Sequence, residues 1–169
     1  MLDIYDYDDM NTLFGLDGYE LRIEPFKADH LKLMELKDVD LSVMSHHEDY
    51  FSYIDQANDV GTAYTFFDKE QPINCWGILP YWNHVVEFWM IPDKDLPKHK
   101  MKFHKGSLKF FDLVASQLKL HRLQCTVCSS NVVAHKWIKA MYFTSEGVLR
   151  KFGTDQSDWE MYARIKSNR

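Results

Sequence analysis

No apolar run in the 169-residue sequence approaches the roughly 20 residues that span a bilayer as a helix, so a helical membrane protein is not expected. The opening residues, MLDIYDYDDM, lack the basic cluster and apolar stretch of a secretory signal, and export by that route is not expected either. Internal repeats and low-complexity linkers are absent, which argues against solenoids and tethered arrays. Cysteine is scarce: Cys75, Cys125 and Cys128 are an odd number, in a chain long enough to build a core without disulfides, which fits a reducing compartment. Cys125 and Cys128 form a C-x-x-C, yet no second pair exists and on a strand the two thiols point to opposite faces. Buried thiols are favoured there over a metal or redox pair. His46 and His47 are adjacent, diverge on a helix and lack a third spaced ligand, so metal is not expected at that position.

What is present is a foldable composition, with 46% hydrophobic and 15% aromatic residues. A chain of this length is expected to form one domain. The formal charge of −5 conceals a division. Residues 1–60 hold 15 acidic and 4 basic side chains, whereas residues 61–169 hold 10 acidic and 16 basic ones. Such asymmetry marks an interaction tail or a basic binding face. Residues 1–18 mix aspartates with aromatics and end at Asp17-Gly18; they are set apart as an acidic arm, leaving 19–169 as the domain.

Along that domain Tyr19–Pro25 alternates as a strand does, and Asp29 is placed to cap a helix in which Leu31, Leu33, Met34 and Leu36 recur. Residues 39–57 carry a second helical pattern that ends at Asn58-Asp59-Val60-Gly61. Thr62–Phe67, Ile73–Pro80 and His84–Ile91 are rich in aromatic and β-branched residues and read as an antiparallel meander. Pro97 suits the start of a helix carrying Phe103, Ser107, Phe110, Val114 and Leu118 on one face. Leu123, Cys125 and Val127 then alternate as a strand, Ser129-Ser130-Asn131 supplies capping side chains, and Val133, Trp137, Ile138 and Met141 mark the apolar face of a last helix before two more strands. The order is β-α-α-β-β-β-α-β-α-β-β, an α+β domain.

That order, with the spacing Asn131-x-x-Ala134-x-x-Trp137-x-x-x-x-x-Phe143, resembles the GNAT superfamily of N-acetyltransferases over nearly everything after residue 18. Phe88-Trp89-Met90-Ile91, His99-Lys-Met-Lys-Phe103, Asn131 and Trp137 are similar to GNAT-like proteins of tailed phages, some of them internal virion proteins. The resemblance implies a central, mostly antiparallel mixed sheet of about six to seven strands flanked by about four helices. It also implies that acetyl-CoA lies in a split between the strands ending near Ile91 and beginning near Leu123, with its pyrophosphate at the start of the following helix. Free backbone N–H groups and the helix dipole favour an anion there.

Two departures bear on function. The family signature Arg/Gln-x-x-Gly-x-Gly/Ala is replaced by Pro97-Lys-His-Lys-Met-Lys-Phe-His-Lys-Gly106, so side chains stand where glycines admit the pyrophosphate. Lys98, Lys102, Lys105 and Lys109 are spaced to line one helix face if Pro97 opens it, where they would contact phosphate, hold an acidic partner or simply be solvated. Nucleic acid is disfavoured because the lysines have no aromatic platforms beside them. Ile138 occupies the position of the tyrosine that protonates the leaving thiolate in many active relatives, and Tyr142 that of the glycine before the final phenylalanine.

The candidate cofactor-binding residues are therefore Ile91, Lys98, His99, Lys102 and Asn131, the last being equally placed to cap its helix. Glu87, expected to share a face with Val85 and Trp89, is the candidate base for an attacking amine. The lost motifs favour a GNAT-fold assembly component that docks other protein subunits, in a virion or the host cytoplasm. The alternative is a CoA-dependent N-acetyltransferase acting on an amine.

Overall fold

The computed structural model describes residues 7–16, 19–38, 40–41 and 50–166. Its centre is a seven-stranded sheet of order β1-β2-β3-β4-β5-β7-β6. The strands are β1 (Leu21–Pro25), β2 (Thr62–Asp68), β3 (Gln71–Trp82), β4 (Val85–Pro92), β5 (Arg122–Cys128), β6 (Thr144–Leu149) and β7 (Trp159–Ile165). All neighbours are antiparallel except β4 and β5, which run parallel. Among the described residues the longer helices are α1 (Tyr7–Phe14), α2 (Tyr50–Val60), α3 (Lys100–Gln117) and α4 (Val132–Ala140), and residues 38, 40 and 41 are also helical. The α+β mixed sheet expected from the sequence is the fold observed.

Two apolar layers flank the sheet. On one side Trp76, Phe103, Phe110, Phe111 and Ile138 form the larger core with α1, α3 and α4. Trp76 is 1% exposed and meets Phe103 and Phe110 edge-on, at 5.7 and 6.4 Å between ring centroids. On the other side Phe26, Leu31, Met34, Ile54, Ala63, Cys75 and Ile91 make a smaller core. The alternation of β4 decides this partition, since Val86 and Phe88 enter the first layer and Ile91 the second. Burial pushes the Cys75 thiol up to about 12, aided by nothing but apolar surroundings and opposed by a contact with Thr65, so this cysteine is a packing residue.

Three local expectations are corrected. The helix anticipated over residues 29–36 is a 3-10 turn, Ala28–Leu33, with Lys27 rather than Asp29 at its N-cap. The cause lies far along the chain. The buried carboxylate of Asp93 accepts the Glu35 N–H at 2.6 Å and Leu36 bridges Asp93, which draws residues 34–36 into extended backbone. Helix α3 opens at Lys100 instead of Pro97, because Leu96–His99 is a separate 3-10 turn. Lys98 therefore does not share the helix face of Lys102, Lys105 and Lys109. Val133 is 65% exposed and so is not part of the buried stripe of α4, whereas Ile138 and Met141 are fully enclosed. The helix expected over 39–57 is helical wherever it is described, at residues 40–41 and 50–57, with α2 running on to Val60; residues 39 and 42–49, including His46 and His47, lie outside the described residues.

Within the stretch set apart as an acidic arm, Tyr7–Phe14 is helical and buries Met10 and Phe14 in the larger core. Gly106 makes that docking possible. A Cβ at Gly106 would sit 2.1 Å from Cδ1 of Phe14, so any side chain there must displace the ring. Gly106→Ala is expected to cost about 1–3 kcal/mol through this overpacking, read as a lower urea midpoint; an unchanged midpoint would show that α1 does not hold its place on α3.

Candidate functional site

Parallel pairing between β4 and β5 is short. Val85, Val86 and Glu87 pair with Arg122, Leu123 and Gln124, and there the ladder stops. Past this rung the strands diverge around a cavity of about 120 Å³. Phe88, Trp89 and Met90 form one wall, Cys125 to Cys128 the other, and Asn131, Ala134 and Trp137 approach from α4. The walls are mainly apolar and aromatic.

Their positions follow from local packing. Trp89 lies across Gly77, its register partner on β3; a Cβ at Gly77 would stand 2.8 Å from the indole nitrogen of Trp89. The ring also meets Phe26 edge-on at 5.4 Å. Trp137 stacks on Phe103 at 5.9 Å and lies 6.1 Å from Phe88, which closes the gap between α3 and α4 beneath the split. Asn131 is fixed by its helix: its side-chain oxygen accepts the Ala134 N–H at 3.1 Å, the N-cap bond that its sequence position allowed.

Among the described residues the carboxylate that shares this cavity is not Glu87. Asp40 lines the split, and its Oδ2 is buried without a hydrogen-bond partner among the described residues. The backbone N–H groups of Asp40 and Leu41 both donate to the Lys37 carbonyl at 3.0 Å, so a single turn sets the position of the side chain. Burial raises the carboxyl from its ordinary range to about 6, against a smaller opposing effect of the Lys37 charge. The sequence carried little signal for this residue. Asp40 is one of 15 acidic side chains in the first 60 residues, and its setting depends on strands that enter 45 residues or more later.

Glu87 occupies the last paired rung and accepts a 3.4 Å hydrogen bond from Gln124, outside the cavity lining. Gln124 in turn accepts from Arg122 at 2.6 Å, and the Arg122 guanidinium grips both oxygens of Glu146 at 2.9 and 2.6 Å. Ile91 is 7% exposed and buried in the smaller core. Lys98 pairs with Asp95 at 2.8 Å, and the His99 Nε2 lies 2.9 Å from Asp68. Lys102 is exposed on the first turn of α3, while Lys109 reaches the Leu13 carbonyl at 3.4 Å and so belongs to the α1–α3 junction. The Lys100 N–H bonds to the Pro97 carbonyl, which leaves one fewer free donor at the start of α3. The structure thus keeps the predicted phosphate-side residues near one loop but ties Lys98 and His99 to acidic partners.

The two positions where the chain departs from the GNAT pattern have distinct surroundings. Ile138 is 2% exposed and fills core space. Tyr142 adopts φ +66°, a left-handed conformation that favours glycine, and is 70% exposed with the Arg164 guanidinium 6.0 Å from its ring. A buried hydroxyl of the region is Tyr162, held 2.9 Å from His135 Nδ1 and pushed up to about 12 by burial and then by Glu160. Neither Tyr162 nor His135 lines the split.

No protein-family model and no curated protein matches the sequence. Solved structures do match the fold. A GNAT-family acetyltransferase from Bacillus anthracis has a TM-score of 0.62 at 16% identity, covering 86% of this chain and 95% of that one. The microcin C7 self-immunity acetyltransferase MccE, in complex with acetyl-CoA and AMP, has a TM-score of 0.62 at 16% identity, covering 87% and 93%. The ribosomal L7/L12 α-N-protein acetyltransferase RimL, in complex with coenzyme A, has a TM-score of 0.63 at 14% identity, covering 86% and 94%. The seven-stranded sheet that parts between β4 and β5 thus gives this chain the fold of the GNAT acetyltransferases.

Proposed function

We propose that the protein is an acetyl-CoA-dependent N-acetyltransferase. The observation that carries this reading is the split between β4 and β5, which is open, apolar-walled and set in a fold whose solved examples include complexes with acetyl-CoA and coenzyme A. The residues fit the acyl and pantetheine portion: Phe88–Met90 and Cys125–Cys128 offer two strand edges, and apolar walls exclude water from a thioester. They fit the pyrophosphate differently from a glycine loop. Side chains occupy that loop, so Lys102, and Lys98 once released from Asp95, would supply point charges in place of backbone N–H groups. When bound, acetyl-CoA supplies the activated acyl carbon; the chain positions it and handles the proton.

Titration calorimetry with acetyl-CoA tests the reading. Binding is expected, and Lys102→Glu should weaken it about tenfold, the equivalent of about 1.4 kcal/mol. No heat and no thermal shift at millimolar acetyl-CoA would sink the proposal. The assembly role drawn from the phage resemblance and the lost motifs gains ground only in that outcome.

A further inference from the structure

We infer that Asp40 is the general base that takes the proton of the attacking amine. This rests on the acetyltransferase reading and adds to it the residue that moves the proton. A base for this step must be a group that accepts a proton near neutral pH, sits beside the acyl carbon and is not already bound elsewhere. Glu87 fails on place, since it lies at the last paired rung outside the cavity and is engaged by Gln124. Asp40 takes up a proton near neutral pH, lines the split that would receive the thioester and has an oxygen left unengaged among the described residues. It shares the cavity with Trp89 and Met90 of β4 and with Cys125 and Cys128 of β5, the titratable groups on that side. Its Oδ2 is buried with no partner among the described residues, an arrangement that costs stability and asks for a donor. An ammonium or amine N–H is such a donor. Burial also holds the carboxyl near 6, with Lys37 the charged group acting against it, so the carboxylate is both present and basic at neutral pH.

The nitrogen lone pair of a primary amine forms the C–N bond at the thioester carbonyl carbon, and the nitrogen's surplus proton passes to Asp40. The C–S bond breaks with its electron pair remaining on sulfur, and that thiolate recovers one proton, from Asp40 or from solvent. Ile138 offers none. The acceptor class is an amine delivered uncharged or deprotonated within the split, because the apolar walls give a persistent ammonium no second counter-charge.

The test pairs binding with turnover. Thiol release from acetyl-CoA is followed with spermidine, L-lysine and a short peptide bearing a free N-terminus, between about pH 5 and 9. The wild-type rate is expected to rise through a pKa near 6. Asp40→Asn should retain about one-hundredth of the rate or less and lose that inflection, Asp40→Glu should recover part of both, and acetyl-CoA affinity should stay within about twofold. Asp40→Asn turning over at the wild-type rate with the wild-type profile would overturn the assignment. So would a wild-type protein that binds acetyl-CoA and releases no thiol with any of the three amines. Failure to bind acetyl-CoA at all would instead overturn the acetyltransferase reading and the base with it.

Discussion

At pH 7.5 Asp40→Asn is expected to be more stable than the wild type by about 2 kcal/mol, and the difference should vanish below about pH 4. The sign follows from the raised carboxyl. A folded-state value near 6, above the ordinary 3.8, means that the folded protein holds the proton more tightly than the unfolded chain does. That contribution to stability is complete below the unfolded value and is lost as pH climbs through the folded one. Above about pH 6 the wild type carries the full cost of an ionised carboxylate in an apolar split, and a neutral amide of the same shape removes it. The shift corresponds to at most about 3 kcal/mol, and water entering the partly open cavity reduces this to about 2. Urea midpoints of both proteins between about pH 4 and 8 measure it. A gap that is absent or independent of pH would mean that Asp40 is solvated in the folded protein. A variant that gains stability while losing turnover is the pattern expected of a strained functional group, and a carboxylate serving only structure would not produce it.

What the sequence made legible was whatever depended on near neighbours. The meander from Thr62 to Pro92 could be read because aromatic and β-branched residues alternate in it and polar turns separate its strands. Asn131 could be read as a cap because its partner is three residues away. Met10 and Phe14 are four residues apart, the spacing of one helix face, a signal masked by the aspartates around them. Distant partners explain the rest. Leu31, Leu33, Met34 and Leu36 have helical spacing, but Asp93 pulls the end of that segment into a bridge, and no local pattern announces a bond across 58 residues. The apolar neighbours of Glu87 along β4 make it stand out in the sequence, yet its environment is set by where β5 stops pairing. Asp40 is illegible from the sequence for the same reason, since the divergence of two later strands creates the cavity it lines.

The strongest test of how core and site are joined is Trp137→Ala, expected to cost about 3 kcal/mol. The indole stacks on Phe103 at 5.9 Å and approaches Phe88 and Phe111 at 6.1 and 6.3 Å, so truncation leaves a void between α3 and α4. Trp137 is only half-buried because its other edge faces the split, which places the loss at the lower end of the range for a large aromatic. Against a total stability on the order of 5–15 kcal/mol, the variant should unfold at clearly lower urea concentration with an unchanged slope. Val133→Ala, four residues earlier on α4, supplies the contrast. Sequence periodicity puts both residues on one apolar face, but Val133 is 65% exposed, and its truncation should shift stability by less than about 0.5 kcal/mol. Equal losses at the two positions would mean that α4 is rotated from the orientation described, which would also remove Asn131, Ala134 and Trp137 from the wall of the split. Trp137→Phe separates packing from site shape: a phenyl ring keeps most of the stack on Phe103, so stability should largely return. The area withdrawn from the split should then appear as weaker acetyl-CoA binding in calorimetry, with no matching loss in the urea midpoint.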